Sequence, residues 1–250
     1  MDGRERALEE AFDGQAARFE RAPVQTDPVA LARMVEFAAL AADSRVLDAG
    51  CGPGLVAEAF LAAGHRVHGV DLAGEMVRRA RERCARFGGR ARFEQGAVSG
   101  FAPDELFDAA VSRFVVHHAS DPVAFLRAKT QRVRPGGVVV ASDHVTDPDG
   151  PPARWHQDIE RARDRTHERN LTPGELADAF GRAGLVDVQL AEDGFELDFD
   201  EWFDRGTPGL PKAEVRARVL AGRARGFDAR ARPDGGITIR CIRVLVRGVR

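Results

Sequence analysis

Two pairs of adjacent ionisable residues close two apolar runs. His117 and His118 follow residues 107–112, and Asp143 and His144 follow residues 138–142. Both runs read as strands of a parallel sheet, buried on both faces. Their carboxyl ends form the edge at which doubly wound sheets bind ligands. An imidazole or carboxylate placed there can take a proton from a nucleophile that arrives protonated. Asp143 and His144 are the first choice for substrate contact, and catalytic roles are expected of His118, Asp143 and His144. Of His117 and His118, only one is expected to face a pocket. For both, a histidine that merely packs and bonds to backbone is the equal alternative. His156 and His167 are further candidate bases, whereas His65 and His68 flank the second strand away from this edge and read as structural. Tyr is absent, which removes one common base. The histidines show no HxxxH spacing and no nearby Cys partner, so no metal site is expected.

A second feature lies upstream, where Val46-Leu47-Asp48-Ala49 runs into Gly50-Cys51-Gly52-Pro53-Gly54. This is a strand that ends in a tight turn and opens a helix. Gly50 and Gly52 admit backbone angles closed to other residues and let a ligand come near. Pro53 suits a turn or a first helical position. Leu55 stands where a dinucleotide fingerprint would place its third glycine. Asp71 closes the next strand and would lie beside the turn, able to accept hydrogen bonds from ribose hydroxyls. The alternative is that it caps the helix that follows Ala73.

The elements that must position these residues follow from the hydrophobic periodicity. Residues 4–20 and 28–42 read as amphipathic helices. Strands over 45–48, 66–70, 91–94, 107–112 and 138–142 alternate with helices over 55–63, 74–87 and 122–133. The turn Arg134-Pro135-Gly136-Gly137 leads into the fifth strand. That alternation defines a parallel α/β sheet with right-handed crossovers. Beyond it, 153–169 reads as a polar helix, 173–183 as a helix and 186–190 as a strand. Residues 199–227 read as helix interrupted at 206–211. The turn Pro233-Asp234-Gly235-Gly236 leads to a final strand over 237–246. The polar helix has two readings, a lid turning Trp155 and His156 toward substrate, or a solvated helix anchored by Trp155.

Four stretches together resemble class I S-adenosylmethionine-dependent methyltransferases of the small-molecule, type 11 or ubiquinone/menaquinone-type branch. They are VLDAGCGPG (46–54), GVDLAGEMVRRAR (69–81), FDAAVSRFVVHHASDP (107–122) and RPGG (134–137). The N-terminal FDGQAARF (12–19) resembles the helix that closes over the cofactor in such relatives. The resemblance implies a doubly wound Rossmann-like α/β fold, with a seven-stranded, mostly parallel sheet, an antiparallel last strand and an α-helical lid. It places Gly50, Gly52 and Gly54 along the methionine and ribose of S-adenosyl-L-methionine, Asp48 beneath the amino group and Asp71 on the ribose. Leu72 and Met76 would pack near the adenine, with Ala97 and Val98 in the adenine loop. Relatives commonly carry an acid where Ala97 stands. Arg113 would offer its backbone carbonyl to the methionine ammonium. Gln15, Phe19 and His118 complete the expected cofactor contacts, and Trp155, His156 and His167 the expected substrate contacts.

The chain has 250 residues, 44% of them hydrophobic, and a net charge of -2. Such a length predicts one domain over 1–250. Within it, 1–42 would cover the cofactor, 45–142 would bind it, and 143–172 and 195–235 would shape the substrate pocket. The near-neutral charge, without a basic block, argues against a dedicated nucleic-acid protein. Three separated cysteines without CxxC suit a reduced, cytoplasmic setting. Neither a signal peptide nor a membrane span is expected. The expected activity is in-line methyl transfer to an O, N or C nucleophile of a small molecule, in secondary or cofactor metabolism, by a monomer or homodimer. A cofactor-binding protein of the same fold with non-methylation chemistry is one alternative, and a nicotinamide-dependent oxidoreductase another.

Overall fold

The computed structural model describes residues 3–103 and 106–250. Residues 1–2 of the N-terminal segment lie outside the described residues. The chain begins with α1 (Gly3–Phe19), α2 (Pro23–Thr26) and α3 (Pro28–Ala38). Then β1 (Arg45–Ala49), α4 (Leu55–Ala62), β2 (Arg66–Asp71), α5 (Gly74–Cys84), β3 (Ala91–Gln95), β4 (Phe107–Arg113), α6 (Pro122–Gln131) and β5 (Val133–His144) alternate. They are followed by α7 (Pro151–Arg163), α8 (Pro173–Arg182), β6 (Val186–Asp198), α9 (Phe199–Asp204), α10 (Lys212–Leu220), β7 (Phe227–Ala231) and β8 (Ile237–Val249).

The strands form one sheet in the order β3-β2-β1-β4-β5-β8-β6, with β7 paired to β8. The first five are parallel, and β8 runs antiparallel between β5 and β6. The order reverses between β1 and β4, so a crevice opens past their carboxyl ends. Side chains alternate across the sheet. Leu47, Ala110 and Val139 face a core completed by α6 and α8, while Val46, Val111 and Val140 face one completed by α3, α4 and α5.

Three departures from the sequence expectation have local causes. Residue 227, expected to end a helix, instead opens β7 (Phe227–Ala231), an eighth strand among the described residues. Its apolar–polar alternation pairs Phe227 with Cys241 and Ala231 with Ile237 across the 233–236 turn. The RPGG segment is not a turn before β5 but an irregularity inside it. The register jumps there from Phe107↔Val133 to Ala109↔Val138. Gly137 permits this, because a Cβ on it would stand 2.5 Å from the Asp108 carbonyl oxygen. The polar helix ends at Arg163, not 169.

β8 outruns β5. Its second half pairs with β5 as far as His144↔Arg243, and its first half pairs with β7 instead. Sheet therefore continues past the carboxyl edge, and a third core forms on it. Ile159, Phe199, Trp202, Val215, Phe227 and Ile239 bring α7, α9 and α10 together there. This layer stands over the crevice.

The layer is tied to α8, which starts with a reciprocal capping box. The Thr172 hydroxyl accepts from the Glu175 N–H at 3.1 Å, and the Glu175 carboxylate accepts from the Thr172 N–H at 2.8 Å. Replacing Thr172 by Ala is expected to lower unfolding free energy by about 1 kcal/mol in urea titration. The cap lies away from the crevice, so ligand binding there is expected to stay unchanged.

Candidate active site

A cavity of about 370 Å³ lies at the crevice, floored by the turn after β1. Gly50, Gly52 and Gly54 all have positive φ, at 75°, 51° and 82°. The space around them differs. A Cβ on Gly50 would stand 2.7 Å from the Val115 side chain, and one on Gly54 would stand 2.9 Å from the Ala80 Cα. A Cβ on Gly52 would meet nothing within 4 Å, because it would point into the cavity. Gly54 thus serves the packing of α4 on α5 and does not line the cavity. Asp71 does line it. Its carboxylate also accepts from the Gly52 N–H at 2.8 Å and the Ala73 N–H at 3.0 Å; Ala73 is the N-cap of α5 and the helix has no side-chain cap, so Asp71 holds the turn rather than capping the helix. Each oxygen retains a lone pair for a further donor.

Phe19, Leu72, Met76, Ala97, Val98, Arg113 and His118 also line the cavity. Gln15 and Asp48 do not. Gln15 Nε2 instead donates to the Thr207 hydroxyl at 2.5 Å and ties α1 to the overlying layer. Asp48 is fully buried beneath the turn, and neither of its carboxylate oxygens has a hydrogen-bond partner. Burial first, and then the Asp71 carboxylate, push its pKa up to about 7, against an opposing pull from Lys129. Lys129 is itself buried, donating to the Ser112 hydroxyl and the Val140 carbonyl, and desolvation brings it down to about 7. The Arg113 side chain donates to the Gln25 and Val24 carbonyls at 2.8 and 2.5 Å and so fastens α2 over the site.

A smaller polar pocket of about 40 Å³ adjoins the cavity. Phe19, Gln25, Phe114 and His118 line both. Phe114 adopts φ 57°, a strained angle for a bulky residue that marks functional sites. Its ring packs against the Arg113 guanidinium at 4.7 Å and the His144 ring at 4.6 Å.

His117, His144 and His167 line the small pocket with His118. Both residues of the His117–His118 pair thus reach a pocket, because the 3-10 turn Val116–His118 ends at the junction of the two. Asp143 lines neither. It is buried and accepts from three donors: the Val116 N–H at 2.6 Å, the His144 N–H at 2.8 Å and His117 Nδ1 at 2.5 Å. The expected substrate contact at Asp143 is therefore replaced by a buried carboxylate that holds His117. This pairing was not legible in sequence, because 26 residues separate the partners. Burial opposes charge on His117, yet Asp143 carries its pKa above the usual value. Desolvation and the neighbouring His117 bring His118 down to about 4. The same two causes, in the same order, keep His144 and His167 well below the ordinary range.

Trp155 and His156 do not line either space. The Trp155 ring packs on Phe227 at 5.8 Å, which is the anchor reading of this helix. His156 is buried against the Thr146 hydroxyl at 2.9 Å. The polar face of α7 is neither solvated nor a free lid. Gln157 Oε1 meets His167 Nε2 at 3.0 Å and the Asn170 N–H at 2.9 Å, and Gln157 Nε2 donates to the Asn170 carbonyl. Buried polar groups are satisfied in this way by one another. Glu160, Arg163, Asp164, Asn170 and Arg205 complete the small pocket, and nothing in their sequence spacing singles them out. His65 and His68 stay away from both spaces, with His68 packed between the Phe101 and Phe107 rings.

A glycine floor, a strand-end acid and a crevice at the β1/β4 reversal are the features of a nucleoside-cofactor enzyme. Residues 24–190 match the family described as a methyltransferase domain, and the chain belongs to that family. It is an S-adenosylmethionine-dependent methyltransferase, and the nicotinamide reading gives way. It is similar to the uncharacterized methyltransferase YcgJ of Bacillus subtilis, 28% identical over 210 residues and 83% of either chain. The YcgJ crystal structure superposes with a TM-score of 0.78 at 27% identity, over 89% of this chain and 98% of that one. A ubiquinone biosynthesis O-methyltransferase of Xanthomonas axonopodis pv. citri is 35% identical over 103 residues, only 40% of this chain and 43% of that protein. Geranyl diphosphate C-methyltransferase of Streptomyces coelicolor, solved with S-adenosylhomocysteine, shares the fold at TM-score 0.61 and 18% identity, over 90% of this chain and 79% of that one.

The residues present fit that cofactor. An open Cβ position at Gly52 leaves room for its approach, and a partnerless Asp48 carboxylate underlies the turn. Gly52→Ala is expected to cost about 1–2 kcal/mol of stability for its left-handed angle. In calorimetry it is expected to weaken S-adenosylhomocysteine binding at least tenfold. Asp48 supplies a pH signature. Its folded pKa lies above the unfolded value, so its contribution to stability is complete below about pH 4 and is lost as pH rises through about 7. Relative to wild type, cofactor-free Asp48→Asn is expected to gain melting temperature as pH rises from 4 to 7, with no further gain above.

Proposed function

We propose that the methyl acceptor is a small molecule whose nucleophile arrives protonated, and that His117, positioned by Asp143, removes that proton. The observation that carries this reading is the 2.5 Å His117–Asp143 contact on a pocket that opens beside the cofactor cavity. With Nδ1–H assigned as donor to the carboxylate, Nε2 is left as acceptor for the substrate proton. Asp143 cannot swing away, because two backbone N–H groups also hold it.

Bound S-adenosylmethionine supplies the activated methyl group. The protein's share is to align the nucleophile, exclude water and accept the proton. Gly50, Gly52, Asp71, Leu72, Met76, Ala97 and Val98 would hold the cofactor, with Asp48 beneath its ammonium group. The Arg113 carbonyl is also assigned to that ammonium. His118 and Phe19 stand between cofactor and acceptor, and the depressed pKa of His118 keeps its imidazole neutral there. His144 and His167 line the acceptor pocket.

The division of labour along the chain supports the same reading. Residues 1–42 supply α1, whose Phe12 and Phe19 pack with Ala73 and Met76 at the cavity. Arg4 donates to the His118 carbonyl at 2.9 Å and pairs with Glu168 at 2.5 Å, which draws α1 toward the overlying layer. Segments 143–172 and 195–235 supply that layer. The small, buried acceptor pocket and a relative named for ubiquinone biosynthesis favour a metabolite, in secondary or cofactor metabolism, over a macromolecule. Among the described residues no helix is long and apolar enough to cross a membrane.

His117→Gln is expected to lower kcat by 10²–10⁴-fold with any acceptor the enzyme turns over, measured by S-adenosylhomocysteine release. Binding of S-adenosylhomocysteine should stay within threefold. Because only neutral His117 accepts a proton, kcat should rise with pH through a pKa above 6.5. Asp143→Asn should move that inflection to lower pH and reduce the plateau. An unchanged profile in Asp143→Asn would remove His117 as the base.

A further inference from the structure

The wall of the polar pocket carries two arginines and two carboxylates, and they are not equally satisfied. Arg163 Nε donates to the Trp202 carbonyl at 2.8 Å, and its Nη1 donates to Asp164 at 3.1 Å. Asp164 also accepts from the Thr166 N–H and hydroxyl. Glu160 faces His156 Nε2 at 3.6 Å, and the charges of His156 and Arg163 pull its pKa down against burial. Arg205 is the exception. It is 5% exposed, its Nε has no hydrogen-bond partner, and among the described residues its one ion pair is a 3.4 Å approach of Nε to Glu201, four residues earlier. The Phe19 ring stands 5.7 Å from the guanidinium carbon, and Arg163 and Glu160 act on Arg205 only through charge, with no hydrogen bond to it.

A guanidinium stays charged in such a place, because it cannot shed its proton near neutral pH. Desolvation, and then Arg163, lower its pKa only to about 10. A buried cation without a hydrogen-bonded anion is costly, and a ligand anion relieves that cost. The space fits a carboxylate. By the measure that gives one water about 10–15 Å³, the pocket of about 40 Å³ holds roughly three water-sized atoms. A carboxylate has three heavy atoms and pairs with the guanidinium fork in bidentate fashion.

We infer that the methyl acceptor is a small carboxylic acid whose carboxylate is held by Arg205, making Arg205 a specificity-determining residue. This rests on the reading that the polar pocket is the acceptor site. The carboxylate fills the space beside Arg205, and the rest of the acceptor extends out through the junction formed by Phe19, Phe114 and His118 toward the larger cavity, with its nucleophile where the edge of His117 meets that junction.

The test uses the full chain loaded with S-adenosylhomocysteine and a panel of hydroxylated aromatic and aliphatic carboxylic acids, each matched by its carboxamide. Calorimetry should show the best acid binding at least tenfold tighter than its amide. Arg205→Gln should cut that preference below threefold while S-adenosylhomocysteine still binds, and Arg205→Lys should retain part of it. His117→Gln should keep the acid preference while losing methyl transfer, which separates failure of the base from failure of the anchor. The inference is overturned if no acid exceeds its amide tenfold, or if the preference survives in Arg205→Gln. Should Arg205→Gln fail to fold, the acid–amide ratio of wild type against Arg205→Lys decides, and equal ratios overturn it.

Discussion

One buried carboxylate organises the polar pocket beside the cofactor cavity of this enzyme. Asp143 stands at the end of β5 and accepts from two backbone N–H groups and one imidazole. The backbone bonds fix where β5 stops and where the chain after β4 turns. The imidazole bond then orients His117 toward the pocket. A carboxylate so enclosed could not remain without those donors, since a buried unpaired charge costs several kcal/mol. The same three bonds therefore serve the folding of the sheet edge and the reading of His117 as base.

The pocket around His117 exists because β8 is longer than β5. Past His144 the sheet goes on as β7 and β8, and a separate apolar core settles on it. That core carries α7 with its polar face turned inward. His156, Gln157, Glu160 and Arg163 are buried and bonded among themselves and to the loop at 164–170. A polar wall built this way is rigid, and His118, His144 and His167 are kept neutral beside His117. Phe114, strained at the end of β4, separates it from the cofactor cavity.

The cofactor half was legible in the chain because its signals are local. Three glycines within five residues, and an acid closing the next strand, form a strand–turn–helix–strand pattern readable in sequence, although 19 residues separate Gly52 from Asp71. Even there, individual roles differed. Gly54 packs on Ala80 and does not line the cavity, and Gln15 bonds Thr207 instead of lining it. The polar pocket was not legible, because no motif marks its pairs: His117 with Asp143, 26 residues apart, and Gln157 with His167, 10 apart, meet only through the fold. Hydrophobic periodicity also misjudged α7, since a helix with a buried polar face looks like a solvated one. β7 was hidden for a related reason: five residues, half buried, acquire a strand only from their partner β8.

The central claim is that Asp143 makes His117 the one basic imidazole among neutral neighbours. Nitrogen-15 NMR of the histidine rings in the S-adenosylhomocysteine complex tests it directly. The account predicts one ring, absent in His117→Gln, that carries its proton on Nδ1 and titrates above 6.5, while His118, His144 and His167 titrate below 6.5. A His117 ring that titrates below 6.5, or carries its neutral-state proton on Nε2, would contradict it.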